Sequence, residues 1–164
     1  MDEPGRHRGL GTLLRHVHEL MDGAIAEQYV AAGMPDYRPR FSPVVRALAA
    51  EGPLSIRDLA RATGVTHSAA SQTVAQLRRA GYVELRPGTD ARTRIVELTG
   101  KARAAKPVIE ADWQTAEAAV AELEKELPAS LTAVLLATLD ALDRRSFGDR
   151  LSAASDRPRP AARP

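Results

Sequence analysis

From Gly52 to Thr99 the spacing of apolar residues switches from a helical period to a strand period, and few folds accommodate that order. Ser55 predicts a helix N-cap, and Asp58 three residues on makes the pair close to a capping box. Ile56, Leu59 and Ala60 fall on one face of the helix that follows. Thr63-Gly64-Val65 breaks it, because Gly64 takes a positive φ without strain. Thr66 predicts the cap of a second helix, from about His67 to Ala80, whose apolar face is Ala70, Val74 and Leu77. Gly81 ends that helix. Tyr82-Val83-Glu84-Leu85 alternates as a strand, Arg86 to Ala91 carries turn chemistry, and Arg92 to Leu98 returns as a second strand. Helix, turn, helix and β-hairpin in that order predict a winged helix-turn-helix.

The other face of the second helix carries Thr66, His67, Ser68, Ser71, Gln72 and Thr73, with no acidic side chain. Gln pairs with adenine in a major groove, and Ser or Thr bonds to base edges or phosphates. Ala69 and Ala75 are small enough for close approach, and Arg78 and Arg79 add charge at the helix end. An ordinary solvated helix face has similar polarity, but the hairpin that follows favours DNA. Arg86, Arg92 and Arg94 put positive charge near its tip, where a wing meets a minor groove or phosphates. Asp90 is placed to orient the Arg92 guanidinium.

Leu59-Ala60, Gly64-Val65, Leu77-x-x-x-Gly81, Arg86, Asp90-x-Arg92 and Leu98-Thr99 stand as they do in the MarR family of bacterial transcriptional regulators. The chain resembles that family over roughly residues 8 to 146, and the Asp-x-Arg wing is the most specific part. In one departure, Gly100 directly follows Thr99, where the family's glycine often comes a few residues later. The resemblance implies a homodimer, repression by promoter occlusion, and relief by a small-molecule effector. It also implies a ligand pocket between the second helix of the chain and the long helix after the wing. Tyr37, Phe41 and Trp113 are its candidate walls, although core filling is the favoured reading for the first two.

Charge is distributed unevenly. From Ser55 to Arg94 seven arginines face three acids, a net of +4; from Pro107 to Arg145 eight acids face three bases, a net of −5. A basic lobe toward nucleic acid and an acidic lobe away from it fit that asymmetry. The chain has no cysteine, which excludes disulfides, thiolate metal sites and thiol redox sensing. Met1 to Gly9 lacks the apolar run of a signal peptide, and no stretch approaches a membrane span, so a cytoplasmic location is expected.

The remaining segments read as support for the winged lobe. Residues 1–9 form a flexible leader. Leu10 to Ala32 predicts a long helix with Leu10, Leu13, Leu14, Val17, Met21 and Ile25 on one face. Phe41 to Glu51 predicts a helix burying Phe41, Val44, Val45 and Leu48. Thr99 should cap a helix running to about Leu127, with Pro107 kinking it or splitting off its first turn. Pro128 suits the first turn of a final helix that runs to about Phe147. Residues 148–164, rich in Ala, Ser, Pro and Arg, are expected to be a disordered basic tail.

The fold class expected is therefore mainly α with a small β-wing. It is a winged helix-turn-helix over about 41–99, with dimerisation helices over about 10–32 and 100–147 forming a second lobe of one domain, 10–147. A single monomeric bundle would bury the same apolar faces. The function expected is sequence-specific regulation of transcription by a homodimeric repressor on a palindromic operator of double-stranded DNA. The alternative is a winged-helix protein-interaction module without specific DNA binding. An enzyme is not indicated: His16 and His18 point apart on a helix, and there is no phosphate loop, nucleophile elbow or metal-ligand cluster. No cofactor is called for.

Overall fold

The computed structural model describes residues 9–88 and 93–155. Its helices are α1 (Leu10–Ala31), α2 (Ser42–Glu51), α3 (Ile56–Thr63), α4 (His67–Arg79), α5 (Gly100–Glu124), α6 (Leu131–Arg144) and α7 (Phe147–Ser155). The strands are β1 (Leu54–Ser55), β2 (Val83–Pro87) and β3 (Arg94–Leu98), and a 3₁₀ turn, Pro39–Phe41, precedes α2. The chain divides into two compact units, one up to Ala116 and one from Glu117.

In the first unit, residue chemistry fixes the ends of α3 and α4. The Ser55 hydroxyl accepts from the Asp58 N–H at 3.1 Å and donates to its carboxylate at 2.6 Å, so the cap closes in both directions. Gly64, at φ +67°, lets the Val65 N–H reach back to the Ala60 carbonyl at 3.0 Å. Thr66 caps α4 by accepting from the Ala69 N–H at 3.2 Å. Gly81, at φ +77°, ends it in the same way, with the Tyr82 N–H on the Leu77 carbonyl at 2.9 Å. Ala70, Val74 and Leu77 are buried, so α4 is held along the side that was expected.

The sheet has three strands rather than the expected two, in the order β1-β3-β2, all antiparallel. Val83 pairs with Leu98 and Leu85 with Val96, which sets these apolar residues on one face with period two. Arg86 and Pro87, expected in the turn, extend β2 instead, because they pair with Ile95 and Arg94. β1 is only two residues long, with Leu54 opposite Val96, and so has no alternation of its own.

Tyr29, Tyr37, Phe41 and Tyr82 form an aromatic cluster, with Tyr37 at 4.6 Å from Tyr29, 5.5 Å from Phe41 and 5.0 Å from Tyr82 between ring centroids. It joins the end of α1 and the start of α2 to the chain leaving α4. The Tyr82 hydroxyl donates to Asp36 at 3.0 Å, and Lys101 pairs with Asp36 and donates to the Ala80 carbonyl at 2.8 Å. Of α1 only Tyr29 is buried; Leu10, Leu13, Leu14, Val17 and Leu20 are exposed. The Thr99 hydroxyl caps α5, accepting from the Ala102 N–H at 3.3 Å, and Pro107 lies inside α5 without splitting its first turn.

The second unit departs from expectation at two points. Pro128 lies in the loop before α6, not in its first turn, because Ser130 takes the cap by accepting from the Ala133 N–H at 3.1 Å. The Glu124 carboxylate accepts from the Thr132 N–H at 2.8 Å, which holds it below the usual carboxylate range. The final helix stops at Arg144, and the tail expected to lack structure from 148 forms α7 as far as Ser155. Ser146 and Asp149 close a cap: the hydroxyl accepts from the Asp149 N–H at 3.1 Å and donates to its carboxylate at 2.7 Å. Arg150 adds a bond of 2.8 Å to the Ala141 carbonyl. No residue of α6 or α7 is buried, and Val134, Leu135, Leu136, Leu139, Phe147 and Leu151 are exposed.

Candidate nucleic-acid interface

The buried residues of α4 decide which of its side chains face out. Successive residues turn by about 100°, so the line opposite Ala70, Val74 and Leu77 runs through Ser68, Gln72, Ala75 and Arg79. All four are exposed. His67 is exposed at the start of the helix, while Ser71 and Thr73 are half-buried on its two flanks. Thr66 is exposed, but its oxygen serves the cap. The expected base readers thus separate into Ser68 and Gln72 on the outward line and Ser71 beside it, with Thr73, expected at bases or phosphates, on the other flank. Arg79 belongs to the same line as Gln72, one heptad on.

The hairpin is closed by the Gly88 N–H on the Thr93 carbonyl at 2.9 Å. Asp90 and Arg92, the expected wing contact and its orienter, lie outside the described residues. Arg94 is exposed at the start of β3. Arg86 is not a free cation: it pairs with Glu84 at 3.2 Å and with Glu97 at 2.5 Å. These pairs neutralise much of the charge it was expected to offer to phosphate.

Two polar side chains that sequence reasoning missed border the outward line. Gln76 accepts from Arg40 Nε at 3.0 Å, tying the turn before α2 to α4. The two lie 36 residues apart, so no local pattern announces them. The Asp58 carboxyl is held below its ordinary range, first by the Ser55 hydroxyl and then by the charges of Arg61 and Arg57. Asp36 is likewise held down, chiefly by Lys101.

The aromatic residues named as ligand walls are not brought together. Tyr37 and Phe41 are 1% and 2% exposed within the core cluster. Trp113 is half-buried with Arg46 stacked over its ring at 4.0 Å, and it lines a separate cleft of about 590 Å³ with Pro43, Ala47 and Glu110.

Residues 42–93 match the model of the MarR family. No curated protein matches the sequence. Among solved structures, a mutant MarR from E. coli complexed with operator DNA is 23% identical, with a TM-score of 0.60 over 81% of this chain and 92% of that one. The M. tuberculosis transcriptional regulator MosR in complex with DNA is 18% identical, with a TM-score of 0.63 over 92% and 100% of the two chains. The PcaV transcriptional regulator from Streptomyces coelicolor, solved with its natural ligand, is 18% identical, with a TM-score of 0.63 over 89% and 98%. At these identities the structural likeness is one of fold.

Proposed function

We propose that this chain, whose residues 42–93 match the MarR family and whose fold is that of its solved structures, is a sequence-specific regulator of transcription that binds double-stranded DNA as a homodimer. The observation that carries this reading is the outward line of α4. It offers Ser68, Gln72, Ala75 and Arg79 without an acid, on a helix locked along its opposite side by Ala70, Val74 and Leu77. In this reading Ser68 and Gln72 meet base edges in a major groove, Ser71 and Thr73 meet the groove walls, and Arg79 contacts phosphate. Arg92, oriented by Asp90, reaches the adjacent minor groove or backbone. Two of the solved relatives hold DNA, and those complexes support the assignment.

The exposed apolar residues of α1 and those of α6 and α7 each need a cover, and a second copy of the chain is the proposed one. A two-fold dimer reads a palindrome with half-sites about 10 bp apart. Occlusion of a promoter then makes it a repressor, acting in the cytoplasm. No helix among the described residues is long and apolar enough to cross a membrane. The reading includes a small-molecule effector, as the ligand-bound relative suggests. It would favour a dimer whose recognition helices are wrongly spaced for DNA. Of the three aromatic candidates, only Trp113 has surface to offer it.

The test is selection of bound sequences from a random duplex pool. An enriched palindrome is expected. No enrichment by a folded dimer would overturn the reading in favour of a protein-interaction module.

A further inference from the structure

β1 lies along β3 with Ser55 opposite Ile95. That pairing brings together two cations that are far apart in sequence: Arg57, in the first turn of α3, and Arg94, which precedes Ile95 on β3. With His67 at the start of α4 they line one cleft of about 510 Å³, whose wall also includes Ser55 and Asp58. The acid there is already occupied. The Asp58 carboxylate accepts from the Ser55 hydroxyl at 2.6 Å and pairs with Arg61, which is not among the lining residues. Arg57 and Arg94 are exposed, and neither has a hydrogen-bond or ion-pair partner among the described residues.

We propose that this cleft seats one backbone phosphate of bound duplex DNA, held by Arg57 and Arg94 with the His67 imidazole as a further donor. The inference rests on the DNA-binding reading above and adds to it a contact between the helix-turn-helix and the wing. Two guanidiniums without a direct partner, Arg57 acting on Asp58 only through its charge, face one cleft and suit a phosphate, whose oxygens accept paired N–H donors. His67 lies about 100° around α4 from Ser68, off the outward line, so it borders the groove rather than entering it. It is a phosphate contact, not a base reader. The cleft exists because β1 pairs with β3; a two-stranded hairpin would leave Arg57 unconnected to the wing.

The experiment measures binding of the full chain to its selected duplex, and to a random duplex, as salt is varied. Arg57→Ala and Arg94→Ala should each weaken both duplexes by roughly tenfold at low salt, as loss of charge-assisted hydrogen bonds does. The ranking of sequences should stay the same, because phosphate contacts carry no base information. The double variant should lower the slope of log K against log[salt] by about 0.9, the value for one phosphate. A fall of twice that would mean two separate phosphates and would overturn the shared site. Unchanged affinity in Arg57→Ala, with the wild type bound, would overturn the inference while leaving the DNA reading intact. Failure of the wild type to bind any duplex would overturn both. Inorganic phosphate titrated alone, followed by the His67 ring resonances, should not saturate; saturation would assign the cleft to a free anion and overturn the DNA assignment. Thermal unfolding of each variant, and of Arg57→Lys with affinity largely restored, separates lost contact from lost fold.

Discussion

Tyr37→Phe should make this protein more stable. The Tyr37 hydroxyl is buried and has no hydrogen-bond partner among the described residues. Ser42 lies close enough to affect it, but the geometry of a hydrogen bond is met only between Ser42 and Tyr29, at 2.9 Å. Burial pushes the Tyr37 hydroxyl to a higher pKa, so it stays neutral. An unsatisfied buried hydroxyl costs about 1–3 kcal/mol. Removing one oxygen gives up a few dispersion contacts of about 0.1–0.2 kcal/mol each. The ring keeps its three aromatic neighbours. The net gain is about 1 kcal/mol, or a rise in Tm of roughly 2–4 °C for a chain of this size. Ser42→Ala is the opposite perturbation, since it removes the 2.9 Å bond of the buried Tyr29 hydroxyl and leaves it only the Asp112 carboxylate nearby, and should cost about 0.5–1.5 kcal/mol. Urea unfolding at one fixed protomer concentration, with unchanged m-values, measures both. If Tyr37→Phe loses 1 kcal/mol or more, the hydroxyl is bonded in the folded protein and the reasoning fails.

Gly64→Ala should cost about 1–2 kcal/mol in the same assay, all of it backbone strain, because a Cβ at φ +67° meets no atom within 4 Å. A neutral effect would show that the turn can reshape. Gln72→Ala should flatten discrimination at one base position per half-site, by about 1–3 kcal/mol, across single-base variants of the selected operator. A uniform loss would make Gln72 a backbone contact instead. Asp36→Asn should lower Tm at pH 7 by an amount equivalent to about 0–1 kcal/mol, since the Asp36–Lys101 pair is part-exposed. Lys101 holds the Asp36 pKa below its unfolded value. Its contribution is therefore complete above about pH 4 and is lost as pH falls through the folded pKa. The two Tm curves should converge in acid, and a constant gap down to pH 2 would assign the loss to packing.

What could be read from sequence was local. The caps at Ser55 and Thr66, the breaks at Gly64 and Gly81, and the buried line Ala70, Val74 and Leu77 depend on neighbours within a few residues. What was missed depends on pairing at a distance. β1 is strand only because Leu54 and Ser55 meet Val96 and Ile95. Arg86 was expected to be free because Glu97, eleven residues on, comes into reach only once β2 pairs with β3. α7 is a different failure. Its Ser146-x-x-Asp149 cap is local and stands in the sequence, but it lies at the edge of a segment whose composition alone predicts disorder.

The pairing of charges in the winged unit leaves one sign uncommitted. From Ser55 to Leu98, each acid that the structure describes is bonded: Asp58 to Ser55 and Arg61, and Glu84 and Glu97 to Arg86. Behind α4, Asp36 and Lys101 neutralise each other. Arg57, Arg78, Arg79 and Arg94 have no such partner among the described residues. Formal net charge, only +2 over the chain, therefore understates the positive field on this side. Local pairing keeps these acids beside Arg61 and Arg86, so the remaining arginines reach a polyanion without first breaking an internal ion pair. The same arrangement predicts steep salt dependence from a nearly neutral protein, because that slope counts the phosphates neutralised and not the net charge of the chain.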